Sequence, residues 1–209
     1  MKTLKLFSLI AILIGMTSCS NDDDPVQLLE VESVTVSNLF APQIGGVDQM
    51  GNPSPISGEF TKFDFSTGQV TTSATEWDIA FRATSIIING GVSLGSTDEP
   101  ERTGDVAAYI ASGTFASIAD VESSQLGQDS GNGYVLSDWY TYTGPPTFLI
   151  TPTPGKIIVI RTRDGKYAKV EILSYYKDAP EDPDAFMDEE RYYTFNYVYQ
   201  PNDGQTSFE

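Results

Sequence analysis

The 209-residue chain contains no histidine and a single cysteine, Cys19. Catalysis that relies on an imidazole as base, or on a cysteine–histidine pair as nucleophile, is therefore excluded by composition. Carboxylates remain. Twenty-nine Asp and Glu residues always offer pairs of the kind glycoside hydrolysis uses, but no spacing sets two of them opposite each other, and no enzyme is expected. The densest acidic run, Asp178, Glu181, Asp182, Asp184 and Asp188, is rich in hard oxygen donors. It lacks the spacing and the glycine of the usual calcium-binding loop, and reads as a solvated acidic connection. The side chains left for binding work include 11 tyrosines and two tryptophans.

Cys19 has its own context. Lys2 and Lys5 precede an apolar run, Leu6 to Met16, and then Thr17-Ser18-Cys19. The run has the length of a signal-peptide core and falls short of the roughly 20 residues of a membrane-spanning helix. The arrangement is that of a bacterial lipoprotein signal, residues 1–18, with cleavage before Cys19 and a lipid on its thiol. An ordinary secretory signal followed by an incidental cysteine is the alternative; a lone thiol in an exported chain favours lipidation. Ser20-Asn21-Asp22-Asp23-Asp24 resembles the surface-export signal of some Gram-negative lipoproteins, or is a solvated spacer. Residues 19–29 are read as an acidic tether, the expected location is the outer membrane with surface exposure, and the only membrane contact expected is the lipid anchor. Loss of residues 1–18 moves the net charge from −17 to −19, which with no basic stripe excludes nucleic acid as a partner.

The aromatic residues must be held by elements that the pattern predicts to be strands. Residues 30–200 form the expected domain. Runs of β-branched and aromatic residues cover 31–36, 59–65, 69–73, 77–81, 86–88, 134–143, 156–163, 167–176 and 191–199. In the run 77–81 the alternation places Trp77, Ile79 and Phe81 on a core face, with Asp78, Ala80 and Arg82 opposite and Arg82 as a charge at the strand end. Asp164-Gly165 between two strand-like runs predicts a tight type I′ hairpin, with positive φ at both central residues. In the strand that follows, Val170, Ile172 and Ser174 are predicted to face one way, and Lys169, Glu171 and Leu173 the other. Helix is scarce. Phe115, Ile118 and Val121 predict a short one over 114–122, and 180–190 has room for a turn. Residues 42–58 and 89–105 read as surface loops, and 201–209 as a loose tail. The class is all-β, mainly antiparallel, with minor helix.

The order of several short motifs resembles the HmuY family of haem-binding lipoproteins. They are Phe63-Asp64-Phe65-Ser66-Thr67-Gly68, Trp77-Asp78-Ile79-Ala80-Phe81 and Ile86-Ile87-Ile88-Asn89-Gly90-Gly91, then Trp139 to Pro145, Arg161 to Val170 and Tyr193 to Tyr199. Each is weak alone; their order and spacing over 59–200 are specific. The resemblance implies a cupped-hand arrangement of antiparallel sheets that holds haem between loop-like fingers, and delivery to an outer-membrane TonB-dependent transporter. It also implies two histidine ligands, one within Gln125 to Tyr134 and one near Thr143 or Gly144, where this chain has none and has no methionine either. Iron is usually held by His, Met, Cys or Tyr. Tyr134, Tyr140 and Tyr142 are accordingly the candidate ligands, beside their plain reading as strand aromatics; Trp139 and Gly144 are candidate pocket residues, and Met50 and Met187 read as loop residues. The expected cargo is haem or a related tetrapyrrole or hydrophobic ligand. A non-haem module of the same fold that binds glycan or protein is the alternative.

Overall fold

A computed structural model describes residues 27–47 and 51–209. The expected signal, Cys19 and Met50 lie outside the described residues. Thirteen strands follow in order: β1 Glu32–Phe40, β2 Ile44–Val47, β3 Pro53–Ser57, β4 Thr61–Asp64, β5 Gln69–Thr71, β6 Ile79–Arg82, β7 Ser85–Ile88, β8 Ala107–Ser112, β9 Tyr140–Tyr142, β10 Ile150–Pro152, β11 Lys156–Arg161, β12 Tyr167–Tyr176 and β13 Glu190–Gln200. The only helix among the described residues is a 3-10 turn, Ser123–Gln125. All strand pairings are antiparallel, as expected for an all-β chain.

Two sheets carry the fold, one of five strands in the order β1-β13-β12-β11-β8 and one in the order β5-β4-β6-β7. Their facing sides make the main core. Phe63, Phe65, Ile79 and Phe81 from the smaller sheet meet Ile158, Ile160, Val170, Tyr193, Phe195 and Tyr197 from the larger. The rings interlock edge to face: Phe63 to Phe195 at 5.6 Å and Phe63 to Tyr197 at 5.8 Å, the geometry that the aromatic quadrupole favours.

Both sheets are also covered on their outer sides, which the alternation in the sequence does not reveal. Tyr109, Val159 and Val198 on the back of the larger sheet lie under Val121 and Phe208. On the back of the smaller sheet Phe60, Trp77, Ala80 and Ile87 form a third cluster, against which Tyr134 packs. Trp77 therefore belongs to the opposite side from Ile79 and Phe81, contrary to the expected face. Residue 77 precedes the strand proper, so the period of two does not extend to it. Arg82 is buried rather than a strand-end charge. Its guanidinium donates to the Gly58 and Thr97 carbonyls at 3.1 and 2.6 Å and to Ser96 Oγ at 2.9 Å, and lies 4.2 Å from the Phe60 ring centre.

Four further expectations are corrected. Residues 114–122 form no helix. Phe115, Ile118 and Val121 do pack on the sheet as their spacing suggests, but Lys169 Nζ takes the Phe115 and Ile118 carbonyls at 2.8 and 2.9 Å, and the Phe208 amide takes that of Ala119 at 2.8 Å. Those are acceptors an α-helix would have used internally. The tail 201–209 is docked: Phe208 is buried, Asp120 bridges Ser207, and Asn202 bonds both the amide and the carbonyl of Leu29. The hairpin after β11 exists, but only Gly165 of its Asp-Gly pair has positive φ, +77°. The Gly165 amide bonds the Thr162 carbonyl and Asp164 accepts from Thr162 Oγ1, which makes a wider turn than type I′. Residues 42–58 hold the exposed hairpin β2–β3.

In β12, Val170 and Ile172 face the main core as expected, while Lys169 on the other side is buried and Leu173 is exposed. Register shifts around Ser174 then bring Tyr175 and Tyr176 both into the core.

Candidate functional site

The motif residues turn out to be fasteners between the two sheets. Asp78 sits between them at 1 % exposure. Its Oδ2 accepts from the Phe65 amide and its Oδ1 from the Arg163 amide, each at 2.9 Å. One carboxylate thus joins the end of β4 to the β11–β12 hairpin. Arg163 in turn reaches back to Asp64 at 3.0 Å, and Asp64 closes its own turn through the Ser66 amide and hydroxyl. Burial pushes the Asp78 carboxyl up to about 6, against the pull of the two amides. Across the hairpin, Asp164 is held below the usual carboxylate range: hydrogen bonds from Thr162 and Tyr199 outweigh the effect of burial.

A second fastener lies behind the smaller sheet, in the segment 89–105 that reads as a surface loop. Arg102 is buried there between Glu99 at 2.6 Å and Asp129 at 3.1 Å, all three side chains being almost fully enclosed. Burial raises the Asp129 carboxyl although the Val135 and Ile88 amides and Arg102 all donate to it. Glu99 is lowered, because donors from Ser96, Ser93 and Arg102 exceed its burial penalty. The glycine pair after β7 makes this approach possible. A Cβ on Gly90 would lie 1.9 Å from the Val106 carbonyl oxygen, and one on Gly91 2.0 Å from that of Asp129, with φ at +80°.

The tyrosines are not gathered at one point. Tyr134 lies in the connection between β8 and β9, outside any strand; β9 spans only Tyr140–Tyr142 instead of the expected 134–143. Tyr134 packs against the Trp77 cluster, and burial raises its hydroxyl, which is engaged by Ser96 and Glu99. Trp139 is 2 % exposed. Its indole N–H donates to the Thr84 carbonyl at 3.0 Å, and Tyr140, Tyr175 and Tyr193 surround its ring, so no face of it is open. Tyr140 is half-buried against that ring, and Tyr142 is 53 % exposed.

The hairpin β9–β10 carries the loop 143–149, which contains Gly144 at φ +66°. The Gly144 carbonyl accepts from the Phe148 amide at 2.8 Å, and Thr143 bonds Thr147 at 2.7 Å. Between this hairpin, β12 and the connection after it runs a cleft of about 320 Å3, lined by Ile150, Pro152, Ile172, Tyr175, Tyr176 and Glu181 among others. That is the low end of the range for small-molecule sites. Its lining is mixed: Thr151, Thr153, Lys156 and Glu171 stand beside Pro152 and the exposed Leu173, while Ile172, Tyr175 and Tyr176 form a nearly buried floor; nothing in the sequence marked these residues for it except membership of a strand. Among the described residues no three acids converge to hold a metal ion, so the acidic run 178–188 does not form a cage.

The chain is similar, at low identity, to several solved structures. The HmuY analogue of Tannerella forsythia, in its apo form, matches over 84 % of this chain and 99 % of its own, with 15 % identity and a TM-score of 0.48. A candidate HmuY-like heme-binding protein of Bacteroides vulgatus matches over 82 % and 93 %, with 15 % identity and a TM-score of 0.49. A candidate lipoprotein of Bacteroides fragilis matches over 84 % and 96 %, with 15 % identity and a TM-score of 0.45. No curated protein matches the sequence. The family model described as HmuY protein matches residues 58–197, a span that begins at the glycine holding Arg82 and contains both fasteners and the cleft strands. With more than half of its length in that match, the chain belongs to the HmuY family.

Proposed function

We propose that this protein is an exported, lipid-anchored capture protein that takes haem, or another flat hydrophobic molecule, and passes it to an outer-membrane transporter without histidine ligation. The family match over 58–197 carries the reading. The cleft beside β9–β10 offers Ile150, Pro152, Leu173, Pro180 and Pro183 as its accessible apolar surface, and burial of a ligand's faces against them would provide most of the affinity. Glu181 at its rim would favour orientations that keep carboxylates of the ligand pointing to solvent.

Of the three candidate ligands, Tyr142 is the accessible one. Tyr134 is unsuited to ligation as a phenolate: its hydroxyl already has partners and burial opposes the charged form. Tyr142, which stands outside the cleft lining, would hold the iron through its phenolate oxygen, and haem held by burial and stacking alone would bind more weakly. A second reading, a glycan- or protein-binding module of the same fold, is favoured by the complete absence of histidine.

Titration of the mature Cys19→Ser chain with hemin separates these. A saturable one-to-one Soret change, weakened about tenfold or more by Tyr142→Phe and untouched by Tyr134→Phe, is the expected result; tenfold corresponds to about 1.4 kcal/mol. A saturable change indifferent to both substitutions retires Tyr142 as ligand. No change beyond that of a control protein retires haem altogether and leaves the second reading.

A further inference from the structure

The two ends of the larger sheet are chemically different. Glu32 at the start of β1 pairs with Tyr199 near the end of β13, whereas Phe40 pairs with Tyr192. The described residues therefore begin, at residue 27, at the end that holds the 162–166 hairpin and the docked tail. β13 has 11 residues, and at about 3.3 Å each the opposite end lies some 35 Å away. That far end holds the loop 143–149 and the connection 177–189.

There, side chains distant in sequence form an apolar point. The Phe148 and Phe186 rings meet edge to face at 5.8 Å, yet Phe148, Phe186 and Met187 remain 41 %, 71 % and 81 % exposed. The display is fixed. The turn beneath it is closed by Asp188 N to the Asp184 carbonyl, Asp184 N to Asp188 Oδ2, and Phe186 N to Asp184 Oδ1, each at 2.8 Å. Ordered apolar side chains held out in water mark a contact surface.

Charge identifies the occupant. Residues 177–191 carry seven acids and two bases, Lys177 and Arg191. Both bases are already paired, with Glu189 and Glu190. The apolar point is thus ringed by uncompensated negative charge. A second copy of the chain would bring like charge to like charge, and an anionic membrane surface would be repelled. We propose that the far tip, Phe148, Phe186 and Met187 within the acids of 182–189, docks a protein whose surface has an apolar socket rimmed by lysine and arginine. None of Phe148, Asp182, Phe186 and Met187 lines the cleft, so the hemin result and the result below can fail independently.

The test is photo-crosslinking in the native cells, on the full-length lipidated chain, with Phe186→p-benzoylphenylalanine and, as a control elsewhere on the surface, Val70→p-benzoylphenylalanine. The expected outcome is one discrete protein adduct from position 186 and none from position 70. The partner peptide, sequenced by mass spectrometry, should hold apolar residues flanked by lysine or arginine. Adding Asp182→Lys, which leaves the hydrogen bonds of the turn in place, should cut the adduct about threefold or more. An unchanged urea midpoint for that variant shows that folding is not the cause. No adduct, an adduct to a second copy, a partner peptide lacking basic residues, or a yield indifferent to the charge reversal would each overturn the proposal.

Discussion

Asp78→Ala is the substitution that tests the sheet fastener most directly. It leaves the Phe65 and Arg163 amides, both now bonded to this carboxylate at 2.9 Å, without an acceptor. Each unsatisfied buried group costs about 1–3 kcal/mol, so the pair costs about 2–6 kcal/mol relative to an uncharged carboxyl in the same place. The wild-type carboxyl is itself penalised when ionised, because burial raises it from 3.8 to about 6. The folded protein then holds the Asp78 proton more tightly than the unfolded chain does. The stability this gives is complete below about pH 4 and is lost as the pH rises through about 6. Linkage over that window amounts to about 1–2 kcal/mol lost by pH 5 and about 3 kcal/mol by pH 7.5. Alanine has no such dependence. The gap between wild type and variant should therefore be wider at pH 5 than at pH 7.5, by about 1–2 kcal/mol. Urea denaturation followed by tryptophan fluorescence at the two pH values gives both numbers. A gap that is equal at both, or wider at pH 7.5, refutes the claim that burial strains this carboxylate; a variant at least as stable as wild type at pH 5 refutes the fastener itself.

Three further outcomes are expected. Arg102→Ala strands two enclosed carboxylates, Glu99 and Asp129, and should lower stability by about 3–5 kcal/mol, read from the urea midpoint. Truncation after Gln200 removes the buried Phe208 ring and the Asn202 bonds to Leu29; the ring alone is worth about 1.5–3 kcal/mol, and calorimetry should show a clearly lower melting temperature, whereas a loose tail would leave it unchanged. Lys169→Met keeps most of the apolar stem but frees the Phe115 and Ile118 carbonyls; hydrogen exchange should accelerate at 115–121 and 206–208 and stay unchanged in β6 and β7.

Most strands of the two main sheets were legible as β-branched and aromatic runs; β8, Ala107–Ser112, was missed because its alanines make no such run although Ala108 sits in the core. The limits of β12 follow from its residues alone, and β13 departs from the expected run by one residue at each end. What sequence reasoning missed was depth. Arg82, Arg102 and Lys169 look like surface charges because a charged residue is rarely enclosed; each is enclosed here because segments far away in the chain supply carbonyls, carboxylates or ring faces to it. Phe115, Ile118 and Val121 show the same separation of burial from backbone form. Their spacing located a contact correctly and assigned it the wrong conformation, since a lysine and an amide from other elements satisfied the carbonyls. The tyrosines are the plainest case. Tyr134, Tyr140 and Tyr142 are near neighbours in sequence, and the fold sends one to the back of the smaller sheet and leaves another in solvent.

The partnership of β1 with β13 has a consequence for how the chain comes to be folded. Thr35 bonds Asn196, 161 residues later, so the outermost pairing of the larger sheet joins its first strand to its last. A chain delivered amino end first cannot complete that sheet until nearly all of it has arrived, and a fold so dominated by distant pairings forms slowly. Until then β1 waits as an unpaired edge. A product that stops short of residue 190 has no native partner for its first strand, and would be recognisable to a protease by that edge alone.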